Sequence, residues 1–193
     1  MTRLFFVTAA AAIGLAGSAV AQNSTSTIDQ IGDSNIAYVS QSQPSANNAN
    51  NSDINQGSLG VSSSNIADVG QTGTLNSNSS TIDQNGAGSN YAYVRQDGND
   101  NSNISDIDQT GSGNQAVVSQ GGDNNLNDSG IIQSGTSNYA NVSQGGINNL
   151  NTSDVNQDGS SNQAWVTQGG SGIINTSGIN QSGSGNYASV NQN

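Results

Sequence analysis

Along most of the chain, apolar residues fall at every second position of short runs, and Gly, Asn, Ser and Asp separate the runs. Alternation with period two predicts β-strands with one buried face. The runs come in pairs. The first reads approximately Asn-x-Ser-x-Ile-x-Gln, as at Asn103, Ser105, Ile107 and Gln109, and the second Asn-x-Ala-x-Val-x-Gln, as at Asn114, Ala116, Val118 and Gln120. Thr110-Gly111-Ser112-Gly113 joins this pair, and Gly121-Gly122-Asp123-Asn124-Asn125 leads to the next. Such residues reach positive φ at little cost, as tight corners require.

The pair recurs seven times, at about 24–41, 50–71, 78–96, 103–120, 127–144, 151–168 and 175–192. From Gln109 onward the spacing is 24 residues without slippage. Earlier copies are looser, with four extra residues between Gln56 and Asn65, one before Asn90, and a longer first inter-repeat loop that holds the sole proline, Pro44. Strand and turn at one fixed period describe a solenoid. The expected fold is all-β, a two-sheet β-solenoid of seven stacked strand-turn-strand repeats that becomes cross-β amyloid in a fibre. Seven rungs at strand spacing make a body about 34 Å long.

The face that is the same in every copy is expected to be buried, because only packing asks for the same residue at each rung. It carries an Ile row (Ile28, Ile54, Ile82, Ile107, Ile131, then Val155 and Ile179), an Ala row (Ala37, Ala67, Ala92, Ala116, Ala140, Ala164, Ala188) and a Val row (Val39, Val69, Val94, Val118, Val142, Val166, Val190). Three amide rows flank them. One Gln row closes the first runs (Gln30, Gln56, Gln84, Gln109, Gln133, Gln157, Gln181) and another the second (Gln41, Gln71, Gln96, Gln120, Gln144, Gln168, Gln192). The Asn row opens the second runs (Asn35, Asn65, Asn90, Asn114, Asn138, Asn162, Asn186). In an in-register parallel stack each amide is expected to donate to one neighbour and accept from the other, so that buried polar groups are satisfied by their own copies.

Composition narrows the function. Only 31% of the 193 residues are hydrophobic and 8% charged, while Asn, Ser and Gln supply 81. That is too little apolar matter for an ordinary globular core. The chain has no Cys, His, Lys or Glu. Without His or Cys there is no Ser-His-Asp triad, thiol nucleophile or usual zinc site, so no catalytic site, cofactor or metal is expected. A net charge of −11, with Arg3 and Arg95 the only cations, argues against nucleic acid and anionic lipid as partners. Gly121-Gly122 lacks the Lys of a phosphate loop, and Asp97-Gly98-Asn99-Asp100 does not recur at calcium-ligand spacing, so both read as solvated turns.

Residues 1–21 read as a secretory signal peptide: Arg3 is the positive start, Leu4 to Leu15 the apolar stretch, and Ala19-Val20-Ala21 the small-x-small cleavage site. The stretch is shorter than a membrane span needs. The repeat domain is then 22–193, exported and not inserted in a membrane. The last repeat ends on Gln192 with no atypical cap, so its edge is expected to accept the first rung of another copy and to continue into an open fibre.

The pattern resembles the curlin repeat of curli, the bacterial functional amyloid, which reads Ser-x5-Gln-x-Gly-x-Gly-Asn-x-Ala-x3-Gln. Gln109, Gly111, Gly113, Asn114, Ala116 and Gln120 match it, and Gln181, Gly183, Gly185, Asn186, Ala188 and Gln192 match it again. The likeness covers essentially all of 22–193. It departs from the family in keeping the leading Ser only as Ser24, with Asn in the other six copies, and in lacking a separate Gly-rich leader. The resemblance implies a major-subunit-like fibre protein of biofilm matrix, adhesion and surface colonisation, secreted to the surface of a Gram-negative-type bacterium. Its implied partners are itself, a nucleator subunit, and an outer-membrane secretion pore with periplasmic accessory factors. The alternatives are the minor nucleator subunit of such a fibre, or a monomeric solenoid that binds a surface or ice.

The variable face carries one more pattern. Asp53, Asp106 and Asp154 occupy one position in alternate copies, where the others have Thr27, Thr81, Gly130 and Gly178. Like charges on successive rungs repel at about 5 Å, and skipping a rung doubles the separation. These Asp are candidate gatekeepers that slow polymerisation; a two-repeat duplication in ancestry would leave the same alternation. Tyr91, Tyr139 and Tyr187 alternate likewise with Gln115 and Gln163, and with Trp165 they are candidates for a carbohydrate- or dye-binding groove or for packing between fibres.

Overall fold

The computed structural model describes residues 10–15, 23–32, 34–42, 49–57, 64–86 and 88–193. Arg3, the cleavage site at Ala19 to Ala21, Pro44 and most of the insertion after Gln56 lie outside the described residues.

The described chain is built of parallel strands. They are β1 (Ala10–Leu15), β2 (Asn23–Gln30), β3 (Ile36–Ser42), β4 (Ala49–Gln56), β5 (Ile66–Thr72), β6 (Ser77–Asn85), β7 (Tyr91–Gln96) and β8 (Ser102–Ser112). Then come β9 (Gln115–Gln120), β10 (Leu126–Thr136), β11 (Tyr139–Gln144), β12 (Leu150–Ser160), β13 (Gln163–Gln168), β14 (Ile174–Ser184) and β15 (Tyr187–Gln192). Even-numbered strands stack in order into a seven-stranded sheet and odd-numbered strands into an eight-stranded one. The chain therefore alternates between two sheets and climbs one rung per repeat, which is a β-solenoid.

Register is strict. Ile107 lies opposite Ile82 and Ile131, and Gln109 opposite Gln84 and Gln133. In the odd sheet Ala140 lies between Ala116 and Ala164. A one-residue slip would turn this face to solvent, so the buried pattern enforces the register. The Ile, Ala and Val rows form one continuous core, with Ile28, Ala188 and Val190 at its ends only partly covered.

The corners are held by backbone that side chains would obstruct. Gly111 has φ 101°, and a Cβ there would fall on the carbonyl oxygen of Gly135 one rung on. The last residue of the same corner is left-handed in successive rungs: Gly113, Ser137, Ser161 and Gly185.

One strand lies outside the repeat boundaries read from the sequence. β1, from the apolar leader, pairs in parallel with β3 and gives the odd sheet its eighth strand. Its register sets Ala11 opposite Ala37 and Ile13 opposite Val39.

Candidate functional site: the stacking ladders and their two ends

Each Gln row is an unbroken chain of side-chain hydrogen bonds. From Gln30 to Gln181, every Nε2 donates to Oε1 of the next rung at 2.7–2.8 Å. From Gln41 to Gln192 the same bonds measure 2.8–2.9 Å. The second Nε2 proton crosses to a backbone carbonyl of the opposite sheet, as from Gln109 to Tyr91 (3.0 Å) and from Gln120 to Ile104 (2.6 Å). Gln thus binds rung to rung and sheet to sheet at once, and its burial carries no unpaired amide inside the stack.

The Asn35–Asn186 row works differently from the amide-to-amide ladder expected of it. Its Oδ1 accepts from the backbone N–H of the next Asn, at 3.1 Å from Asn65 to Asn35 and 3.0 Å from Asn138 to Asn114. Its Nδ2 closes the corner instead, donating to the carbonyl four residues back and to a glycine carbonyl one rung on, as from Asn114 to Thr110 (2.9 Å) and Gly135 (3.2 Å). At a corner the short Asn side chain meets its neighbour's main chain before its neighbour's amide. Only at the last rung does Asn186 Nδ2 also reach Asn162 Oδ1, at 3.0 Å.

Two further Asn rows lie outside the three amide rows named from the sequence. Asn76, Asn101, Asn125 and Asn149 repeat the corner arrangement at the other end of the rung, in the turn between repeats; the row ends at Ile173, whose N–H donates to Asn149 Oδ1. Asn50, Asn78, Asn103, Asn127, Asn151 and Asn175 make a true amide ladder at 2.8–3.1 Å. It donates toward lower-numbered rungs, opposite to the Gln rows. The signal was present in Asn103, which falls on the inward face. Beside it runs a row with no such solution: the hydroxyls of Ser26, Ser52, Ser80, Ser105, Ser129, Ser153 and Ser177 are buried without a hydrogen-bond partner. Rung spacing of about 4.8 Å is too long for one hydroxyl to reach the next.

The outer face of the even sheet gathers acids. Register places Thr27, Asp53, Thr81, Asp106, Gly130, Asp154 and Gly178 in one column, so its Asp do stand two rungs apart. The next column undoes that separation, because Asp83 and Asp108 occupy successive rungs. Partial burial, then the charge of Asp108, raises the Asp83 carboxyl above its usual range, against a lowering hydrogen bond from Asn85. Asp106 is raised by burial and then by Asp108, and Asp128 by burial and then by Asp154 and Asp106. On the odd sheet, Trp165 bridges Tyr139 and Tyr187 with ring centroids 5.2 and 5.1 Å apart. Asp97 of the candidate calcium turn pairs with Arg95 at 2.7 Å. Among the described residues no three acidic side chains are grouped to hold a metal.

The two ends of the even sheet differ in chemistry. At β2, Gln30 Oε1 is buried and accepts from no donor. At β14, Gln181 Nε2 bonds across to Gln163 with no strand above to take its other proton. One end holds the unmatched acceptor and the other the unmatched donor of a single ladder. The last rung also leaves Tyr187 69% and Ile174 76% exposed. β14 and β15 carry no charged side chain, although the chain is strongly acidic.

No protein-family model matches this chain, and no curated protein matches it either.

Proposed function

We propose that the protein is a secreted structural subunit whose activity is self-assembly, head to tail, into extracellular amyloid fibres of the curli kind. The observation that carries this reading is the complementarity of the two ends. The C-terminal rung of one copy holds the Gln181 donor and the N-terminal rung of the next the unpartnered Gln30 acceptor, so that a contact between copies would repeat the contact between rungs. An interface whose two halves are different surfaces of one molecule does not close, and its product is a filament. The last rung, free of charged side chains, supports the same reading, since copies carrying 13 Asp against the single Arg95 meet there with least repulsion. The likeness to curlin repeats adds the setting: export through an outer-membrane pore, a nucleator subunit, and a role in biofilm matrix and adhesion. The chemistry of the ladders requires no cofactor and no catalytic residue.

The test follows thioflavin fluorescence of chain 22–193 after dilution from denaturant, with and without fibre fragments. The expected result is a lag that fragments abolish, with fibres giving cross-β spacing. A chain that remains folded, monomeric and dye-silent at high concentration overturns the reading and favours a monomeric surface-binding solenoid.

A further inference from the structure

The N-terminal end is not uniformly open. In the even sheet β2 is the edge, but in the odd sheet β1 lies over β3, from Ala10 opposite Ile36 to Leu15 opposite Gln41. The odd sheet keeps one register throughout, with Gln163 opposite Tyr187 and Gln168 opposite Gln192 at its far end. Continued into a second copy, that register would set Tyr187 of β15 against Ile36 and Gln192 against Gln41. β1 therefore holds, residue for residue, the backbone slots that β15 of another copy would fill.

The sequence of β1 carries the imitation further. Ala11 falls in the column of Ala37 and Ala188, and Ile13 in the column of Val39 and Val190. The match ends at Leu15, which stands in the column that Gln41 through Gln192 fill with amides. Leucine has neither donor nor acceptor, so β1 can fill the backbone edge but cannot extend the amide ladder.

We propose that residues 10–15 are a built-in plug: they occupy the docking edge for β15 of a second copy, and their removal with the leader opens it. This rests on the end-to-end assembly proposed above. A strand tethered through residues 16–22 competes at an effective concentration on the order of millimolar, far above that of a free second copy. An incoming C-terminal rung then finds only the even sheet available, and half a rung leaves the Gln192 side of the junction unpaired. The unprocessed chain can still add its own uncharged C-terminal rung to the N-terminal end of a growing fibre. Having done so it presents the plug and stops that end.

The experiment compares 1–193 with 22–193 as soluble additions to fragments of 22–193 fibres, with growth followed at each end by imaging. The plug predicts elongation at least tenfold slower for 1–193, and arrest of one end when 1–193 is mixed substoichiometrically into 22–193. In 1–193 carrying Ala11→Asp and Ile13→Asp, which puts carboxylates in columns that are apolar in every other rung, elongation should return to the rate of 22–193. Equal rates for the two chains, or no recovery in the double variant, overturn the plug. Amide hydrogen exchange of soluble monomers separates this from the fibre reading: β3 should be protected in 1–193 and exchange faster in 22–193 and in the double variant. If 22–193 makes no fibres, the assembly reading fails while exchange at β3 still decides whether residues 10–15 cover that edge.

Discussion

The inner and outer faces of the even sheet lie on the same strands, one residue apart, and obey opposite rules. Inside, Gln133 is flanked by Gln109 and Gln157 and gains a hydrogen bond from each likeness. Outside, Asp83 is flanked by Asp108, and the likeness pushes its carboxyl toward the neutral form. An in-register parallel stack makes every residue the neighbour of its own copy, so it amplifies whatever is repeated. A group that both donates and accepts can repeat without limit; a charge cannot. This explains how an interior rich in Asn and Gln can be strictly periodic while the surface beside it varies.

The sharpest way to break the inner rule is to remove one amide from the middle of a ladder. Gln133→Ala deletes two inter-rung bonds and the brace to the Gln115 carbonyl, and strands buried Gln109 and Gln157 groups. With each unsatisfied buried group costing roughly 1–3 kcal/mol, the expected loss is about 4 kcal/mol in denaturant unfolding of the soluble chain. Exposed Asn156→Ala, one residue before Gln157 on the outer face, should change stability by less than about 0.5 kcal/mol. Equal effects from the two would dissolve the contrast between faces. Ile107→Ala comes next: its side chain is fully buried, and about 3 kcal/mol should be lost by the same measurement.

The outer rule is tested by pH. The carboxyls of Asp83, Asp106 and Asp128 are raised in the folded state, so between their ordinary value and the raised value the folded chain binds more protons than the unfolded one. Stability from this face should therefore increase as pH falls through the raised values, and the gain should be complete below the ordinary carboxylate value. Unfolding midpoints compared between neutral and mildly acidic buffer read this directly. Asp108→Asn should raise stability at neutral pH and flatten the profile, because Asp108 is the largest charge acting on Asp83 and Asp106. Ile132→Asp, which puts an acid in the Asp83–Asp108 column one rung beyond Asp108, should steepen it.

The smallest expected effect falls on the inner face and runs against intuition. Ser129 is buried with an unpartnered hydroxyl, and alanine there removes a polar group that has lost its water and gained nothing. Ser129→Ala should be neutral or stabilising by up to about 1 kcal/mol. A loss comparable with that of Gln133→Ala would mean that the serine row is bonded in solution.

Much of this was legible in the repeat. Period two identified the strands, the 24-residue period placed like residues in columns, and identity between copies marked the inward face that carries Gln109, Asn114, Ile107, Ala116 and Val118. Asp106 and Asp154 could be assigned to one column from spacing alone. Those conclusions need only the period, because a parallel stack converts sequence distance into a rung and parity into a face. The tertiary structure decided what the period leaves free. Whether an amide meets its neighbour's side chain or main chain depends on side-chain length and on the backbone at the corner, which separates the Gln ladders from the Asn114 row. The direction of donation is forward in Gln, whose second proton crosses to the opposite sheet, and backward in the Asn103 row, where Asn127, Asn151 and Asn175 send theirs to a glycine carbonyl six residues back in the inter-repeat corner. Asp83 and Asp108 conflict only because two columns lie side by side on a folded face. That β1 lies on the edge of β3 follows from an unfilled strand edge, a feature that exists only once the rungs are stacked.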